Sequence, residues 1–222
     1  MNELGKKAAG AKAAELIEDG MIVGLGTGST AAYFIEALIN RVRRGLHIRA
    51  VASSRASAEL ARKGGIQVVD INEVPRIDLT VDGADEIDPA KRMIKGGGGA
   101  HTREKILAYA SREFIVIVDE SKCVPQLGRA KLPVEILFFG SPSTRHHLEK
   151  LGYHGQWRMQ SDGTFFLTEN GNLLFDIQFP HPVEHPEAEH LKIIQVPGVV
   201  DTGFFFGIAS RVIVGNSQGN CI

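Results

Sequence analysis

The segment Met21–Thr30, MIVGLGTGST, decides the fold class of this chain. A short apolar run leads into a glycine-rich turn, and the segment 31–44 that follows carries its apolar residues on one helical face. The order is therefore strand, glycine turn, helix, which is the beginning of a βαβ unit.

The same alternation continues on both sides of this segment. Apolar spacing predicts helices over 4–18, 55–63 and 102–112, and strands over 48–52, 66–69, 79–82, 114–118 and 211–214. Strands that alternate with helices require right-handed crossovers, so we predict an α/β fold with a doubly wound, mostly parallel sheet.

The pattern changes in the second half of the chain. Its predicted elements follow the order β-α-β-β-α-β, with one strand over 199–206 at the end. This order predicts a second, smaller α+β domain of the split βαβ, or ferredoxin-like, kind. We expect residues 1–127 with 207–222 to form the first domain and residues 128–206 the second.

Composition excludes several classes of protein. The chain has 222 residues and a net charge of -1, so its overall charge favours neither nucleic acid nor an anionic membrane as a partner. It has no signal-like apolar segment, which predicts a cytoplasmic protein with no membrane partner. Its two cysteines, Cys123 and Cys221, are expected to be free thiols.

The first glycine turn resembles a dinucleotide-binding fingerprint only in part. Its sixth position is Ser29 instead of glycine, no acidic residue follows about 20 positions later, and no lysine follows Gly28 as in a P-loop. The hydroxyls of Thr27, Ser29 and Thr30 at a helix N-terminus instead suit a single phosphate. Close packing and simple capping remain alternatives.

A second glycine-rich segment, Lys95–Ala100, contains four consecutive glycines. Glycine loses more backbone freedom on folding than any other residue, so such a run carries a conformational cost. A backbone nest that binds an anion would explain it, because the N–H groups must approach the ligand closely. The alternative is a flexible linker.

Ionisable residues lie between and after these segments. Four carboxylates lie at the carboxyl end of the strand 79–82, where ligands gather in open α/β sheets: Asp82, Asp85, Glu86 and Asp88. A hard cation, neutralisation by Lys95 and Lys122, and a solvated acidic turn are all compatible with them. Glu104 occupies the first turn of a predicted helix, where acids commonly complement the helix dipole. Pro182 and Pro186 interrupt the stretch that contains His181, His185 and His190, so no metal site is predicted there.

Four motifs in this order together resemble the type A family of ribose-5-phosphate isomerases. They are Gly26–Thr30, Val81–Ile87, Lys95–Gly98 with Thr102–Lys105, and Asp119–Lys122. The resemblance implies a Rossmann-like domain with a smaller α+β domain, and a homodimer or a dimer of dimers. It also implies the interconversion of D-ribose 5-phosphate and D-ribulose 5-phosphate in the pentose phosphate pathway, with no metal and no cofactor.

The resemblance also implies residue roles. Glu104 would be the base that moves a proton between C1 and C2, and Asp82 with Asp85 would assist ring opening and handle hydroxyl protons. Lys95 and the loop amides would stabilise the enediolate. The residues implied in substrate binding are Lys6, Thr27, Gly28, Ser29, Thr30, Gly83, Ala84, Gly96, Gly97, Gly98 and Lys122, of which Lys6, Ser29, Thr30 and Lys122 would hold the phosphate.

Three other functions fit the sequence less well. An amino-sugar-phosphate isomerase typically needs a histidine near the base, and a coenzyme A transferase needs a nucleophilic glutamate; the spacing supports neither. A sugar-phosphate sensor would more plausibly carry a basic DNA-binding segment, for which this chain has no room.

Overall fold

The computed structural model describes residues 2–221. It divides the chain into two compact units, which interleave along the sequence. Unit 1 comprises Met1–Ala84, Arg103–Cys123 and Gly207–Ile222, and unit 2 comprises Asp85–Thr102 and Val124–Phe206.

Helices and strands alternate through the first half of the chain and return in a different order in the second. The helices are α1 Glu3–Ala14, α2 Ser29–Val42, α3 Arg55–Lys63, α4 His101–Tyr109, α5 Ser141–Lys150 and α6 Pro186–Ile194. The strands are β1 Ile22–Leu25, β2 Arg49–Ala52, β3 Gln67–Val68, β4 Ile77–Asp82, β5 Glu86–Ile87, β6 Met93–Ile94, β7 Ser111–Asp119, β8 Leu132–Ile136, β9 Gly155–Trp157, β10 Leu173–Ile177, β11 Val199–Thr202, β12 Phe204–Phe205 and β13 Arg211–Gly215. Within the described part of the chain, none of the helices combines the length and apolar character that crossing a membrane requires.

Unit 1 is built on a six-stranded sheet in the order β13-β7-β4-β1-β2-β3, with every neighbouring pair parallel. One face is covered by α1, α2 and α3, whose apolar side chains join those of β1, β4 and β7 in one core. On the other face Leu107 of α4 packs with Ile22, Val51 and Ile77. Helices on both faces of a parallel sheet confirm the predicted doubly wound fold.

Unit 2 contains a four-stranded antiparallel sheet in the order β11-β8-β10-β9. Numbered within this sheet, the order is fourth, first, third, second, with α5 after the first strand and α6 after the third. That is the split βαβ arrangement that the sequence predicts. Its core is an apolar cluster that includes Val134, Leu148, Phe175 and Ile193.

A three-stranded sheet in unit 2, β12-β6-β5, was not predicted. Two-residue strands are too short to produce a recognisable periodicity. The strand predicted over 199–206 is interrupted at Gly203, whose N–H donates to Pro133 O at 2.7 Å and whose carbonyl accepts from the N–H of Lys95 at 2.8 Å. A Cβ at Gly203 would lie 2.3 Å from Lys95 O, so this close approach requires glycine.

The two units divide the chain differently from the predicted domains over residues 85–102 and 124–127. The prediction places both segments in the first domain, whereas they belong to unit 2. Two contacts account for the difference: β6 pairs with β12, and the N–H of Val124 donates to Ile87 O at 2.9 Å. The predicted second domain and unit 2 both end at residue 206.

Candidate active site

The glycine turn after β1 packs directly on Asp82. A Cβ at Gly26 would lie 2.1 Å from the Asp82 carboxyl carbon, and one at Gly24 would lie 1.8 Å from Thr80 Oγ1. Gly28 has φ of +102°, a conformation that other residues rarely adopt. Two of the three glycines therefore allow close packing, and the third sets the backbone where α2 begins.

The N-terminus of α2 has two positive features. Its N-cap residue is Gly28, which supplies no side-chain hydrogen bond to the amides of the first turn. The buried ammonium of Lys6 donates to Ser29 Oγ at 2.9 Å. Helix amides and a buried cation at one point favour an anion there, which agrees with a phosphate site in this turn.

Hydroxyl groups of two serines that follow β2 contact this turn. Thr27 Oγ1 and Ser53 Oγ lie 2.6 Å apart, and Ser57 Oγ donates to Gly26 O at 2.6 Å. Ser54 is the N-cap of α3, and its side chain accepts from the N–H of Ser57. The contacts of Ser53 and Ser57 were missed, although serines after a neighbouring parallel strand were a usable signal.

Asp82 ends β4 and is fully buried, with an exposed fraction of 0%. Its Oδ1 accepts from the backbone N–H of Thr27 at 3.0 Å and of Gly83 at 2.7 Å. The interpretation as a solvated acidic turn is therefore wrong for this residue. The Thr27 amide is engaged by Asp82 and is therefore not available to a ligand.

Two of the other acidic residues hold the backbone of unit 2. Glu86 accepts from the N–H groups of Gly128 at 2.8 Å and Ala130 at 2.6 Å. Asp88 accepts from the backbone N–H of Arg92 at 2.9 Å and from its Nε at 2.6 Å. These carboxylates are engaged by donors, and among residues 2–221 no group of three or more potential metal ligands was found.

The segment 95–100, called the glycine loop below, is held by hydrogen bonds within unit 2. The Gly97 N–H donates to Asp85 Oδ2 at 2.7 Å, and the Gly99 N–H donates to Gly96 O at 2.9 Å. Lys95 is buried, with its ammonium 5.3 Å from the centre of the Phe205 ring. The glycine loop is therefore a hydrogen-bonded turn, and its interpretation as a linker is wrong.

Glu104 lies in the first turn of α4 with only 3% of its surface exposed. A carboxylate that merely complements a helix dipole is normally solvated, because burying a charge is costly. Its burial makes Glu104 a candidate for chemistry. Lys122 is half-buried at the end of a short 3₁₀ turn, where Asp119 Oδ1 accepts from the N–H of Ser121 at 3.1 Å.

The histidine stretch does not form a cluster. His181 and His185 are exposed, and His185 precedes α6 as its N-cap residue. His190 Nδ1 lies 2.8 Å from Thr202 Oγ1, with its ring 5.8 Å from that of Phe206.

Glu135 is the centre of a polar cluster that sequence reasoning missed. This buried carboxylate on β8 accepts from Thr102 Oγ1 at the start of α4. It also accepts from Thr168 Oγ1 at 2.9 Å, Asn170 Nδ2 at 3.0 Å and Asn172 Nδ2 at 2.8 Å. Burial by itself raises the pKa of Glu135, but the four hydrogen bonds outweigh it and hold the pKa below its ordinary value.

Replacing Glu135 with glutamine should therefore give a pH-dependent loss of stability. A lowered folded-state pKa stabilises the fold above the unfolded pKa of about 4.3, and this contribution is lost as the pH falls through the folded pKa. We expect Glu135→Gln to lower the free energy of unfolding by roughly 1–3 kcal/mol at neutral pH. Urea titrations should show that difference shrinking below about pH 4.

The exposed Glu184 in the same unit provides the control. Glu184→Gln should leave the free energy of unfolding nearly unchanged at both neutral and strongly acidic pH. A Glu135→Gln deficit that stays as large well below pH 4 as it is at neutral pH would contradict the assignment of the stabilising charge to Glu135.

Comparisons with known proteins identify the family. A family model described as Ribose 5-phosphate isomerase A (phosphoriboisomerase A) matches residues 49–219. The ribose-5-phosphate isomerase A of Protochlamydia amoebophila is 51% identical over 217 residues, covering 96% of this chain and 92% of that protein. The Bacillus mycoides protein of the same name is 44% identical over 214 residues, covering 96% of each. The chain belongs to this family.

Solved structures support the same assignment. The ribose 5-phosphate isomerase from Plasmodium falciparum is 33% identical with a TM-score of 0.94, covering 100% of this chain and 97% of that one. A D-ribose-5-phosphate isomerase in complex with phospho-erythronic acid is 37% identical with a TM-score of 0.91, covering 96% and 95%. The predictions of the family, of the enzyme and of the fold class are confirmed.

Proposed function

We propose that this chain interconverts D-ribose 5-phosphate and D-ribulose 5-phosphate through an enediolate, with Glu104 as the base. The observation that carries the proposal is the burial of Glu104, which lies in the part of the chain that the family model matches. Moving hydrogen between C1 and C2 requires removal of a weakly acidic C–H proton. A carboxylate shielded from water is suited to that step, because hydration does not weaken it as a base.

A base alone is insufficient, because negative charge develops on the oxygen of the enediolate. We assign its stabilisation to Lys95 and to amides of the glycine loop. Asp82 and Asp85 would open the sugar ring and handle hydroxyl protons. In the described structure both carboxylates already accept backbone N–H groups, which fixes their orientation.

We assign the substrate phosphate to Lys6, Ser29, Thr30 and Lys122, with Gly28, Gly83, Ala84 and Thr27 also lining the substrate. Anchoring a phosphate remote from the reacting carbons lets binding energy position C1 and C2 beside the base. The contact between Lys6 and Ser29 supports this assignment.

Replacing Ser29 with alanine should therefore weaken substrate binding more than it slows chemistry. Loss of the hydroxyl removes one partner of Lys6 and one donor to the phosphate, so we expect KM to rise roughly 10-fold, as for one hydrogen bond to a charged group. Steady-state kinetics with ribose 5-phosphate measures this. Ser217→Ala, at an exposed serine of unit 1, is the control, and an unchanged KM in Ser29→Ala would remove Ser29 from the phosphate site.

A direct assay tests the proposed reaction. Purified protein treated with EDTA is given ribose 5-phosphate, and ribulose 5-phosphate formation is followed. We expect turnover without added metal ion. No turnover of ribose 5-phosphate with or without metal would refute the proposed reaction, and strict dependence on a metal ion would refute its metal-independence.

We also propose that the enzyme acts in the cytoplasm, in the non-oxidative pentose phosphate pathway, as a homodimer or a dimer of dimers. The support is the family resemblance. Size-exclusion chromatography with light scattering tests the assembly, and a monomer at micromolar concentration would contradict it.

A further inference from the structure

Arg158 holds two carbonyl groups of the glycine loop. Its Nη1 donates to Gly96 O at 2.9 Å and to Gly97 O at 3.1 Å. Arg158 directly follows β9, and its own N–H donates to Leu174 O on β10 at 2.8 Å. The glycine loop is therefore attached by a side chain to the antiparallel sheet of unit 2, across 62 positions of sequence.

Arg158 is itself fixed in orientation. Asp176 on β10 accepts from Nε at 2.9 Å and also from Nη2, which makes a two-point ion pair. The pair is largely buried, with the Arg158 and Asp176 side chains 16% and 12% exposed. The guanidinium carbon lies 5.8 Å from the centre of the Phe166 ring. A planar group held at its edge and face has little freedom, and the compact ammonium of lysine cannot reproduce this geometry.

The opposite side of the glycine loop is held by Asp85, whose Oδ2 accepts from the Gly97 N–H. In a trans peptide the C=O and N–H bonds point in opposite directions. The peptide between Gly96 and Gly97 therefore lies between a cation at its oxygen and a carboxylate at its nitrogen. Side chains of unit 2 therefore determine the directions of both the C=O and the N–H bond of this peptide.

The same geometry determines the next peptide. Because Gly97 O points towards Arg158, the N–H of Gly98 points away from Arg158. Gly98 is also an exposed residue of the loop. A carbonyl bonded to a cation also makes the N–H of the same peptide a stronger donor, because hydrogen bonds in a chain polarise one another.

We propose that Arg158, held by Asp176, is a positioning residue that turns the Gly98 N–H outward as a donor to the developing enediolate oxygen. This inference rests on the proposed function. A donor fixed before the reaction needs no reorganisation when charge develops, and such donors stabilise the transition state more than the bound substrate. Arg158 thus acts through the glycine loop and does not touch the substrate.

The test compares Arg158→Lys with a matched control, Arg145→Lys. Arg145 is also a partly buried arginine of unit 2: its Nε donates to Glu149 at 2.8 Å, and its guanidinium carbon lies 5.5 Å from the centre of the Phe175 ring. It lies on α5 and pairs along its own helix, and within residues 2–221 it makes no hydrogen bond to the glycine loop. Asp176→Asn, which retains Arg158 but removes the charge that orients it, provides a second variant should Arg158→Lys fold poorly.

We expect Arg158→Lys to lower kcat by roughly 10- to 100-fold, consistent with impairing one donor to an oxyanion. The KM for ribose 5-phosphate and the affinity for inorganic phosphate should change little, because the loop donors act on the enediolate and not on the phosphate. Phospho-erythronate, whose carboxylate resembles the enediolate, should bind more weakly to the variant. Arg145→Lys should change none of these values.

A structural readout accompanies the kinetics. Amide hydrogen exchange measured by NMR at Gly97 and Gly99, whose N–H groups donate to Asp85 and to Gly96 O, should accelerate in Arg158→Lys and in Asp176→Asn but not in Arg145→Lys. If the wild type is active and Arg158→Lys has the same kcat as Arg145→Lys, the proposal is overturned. Absence of turnover in the wild type would instead refute the proposed function, so the two failures are distinguishable.

Discussion

Glu104→Gln should abolish most of the isomerisation while substrate binding is retained. Glutamine has the shape of the glutamate but cannot accept the proton, and a positioned general base contributes roughly 10²–10⁴-fold to rate. We therefore expect kcat for ribose 5-phosphate to fall by about this factor, with KM nearly unchanged. Steady-state kinetics gives both values, and isothermal titration with phospho-erythronate confirms that the site still binds.

The control for this variant is Glu73→Gln, at an exposed glutamate of unit 1. It should retain full activity, which shows that a change of one carboxylate to an amide is not itself harmful. Thermal unfolding of both variants must stay close to that of the wild type for the kinetic comparison to hold. A fully active Glu104→Gln would remove Glu104 from the mechanism.

Lys95→Met should give the second large loss of activity. Methionine keeps an aliphatic side chain against the Phe205 ring but removes the ammonium. Since the charge of the enediolate develops only in the reaction, we expect the loss mainly in kcat, by roughly 10²–10³-fold. Kinetics with ribose 5-phosphate measures it, and inorganic phosphate should still bind as a competitive inhibitor.

Lys131→Met provides the matched control, because Lys131 is an exposed lysine of the same unit. It should leave kcat and KM unchanged. If Lys95→Met raised KM and left kcat intact, Lys95 would be a substrate-binding residue without a part in stabilising the enediolate.

The sequence predicted long, periodic elements well. The helix predicted over 55–63 is α3 Arg55–Lys63, and the apolar run 114–118 lies within β7 Ser111–Asp119. These segments carry their signal locally, because one face of a helix or a fully buried strand is visible in the order of residues. The two-residue strands β5, β6 and β12 carry no such signal, since their pairing depends on partners far away in the chain.

The candidate site residues were predicted from motifs and not from periodicity. Asp82 and Glu104 stood out only through the motifs around them, because burial is a tertiary property that local sequence does not contain. Glu135 accepts from Thr102, which lies 33 positions away in sequence. Arg158 donates to Gly96, which lies 62 positions away. Neither residue lies in a recognisable motif, so only the packing of unit 2 reveals that they hold the start of α4 and the glycine loop.

Proton exchange with solvent tests the central claim, that Glu104 is the base, most directly. Ribulose 5-phosphate is incubated in D₂O with wild type or with Glu104→Gln, and loss of a C1 proton is followed by ¹H NMR. The wild type should exchange one C1 proton with deuterium as it isomerises the sugar, because a carboxyl group that has taken up the proton exchanges it with solvent. Glu104→Gln should bind the sugar without exchange, and exchange at the wild-type rate in this variant would contradict the account.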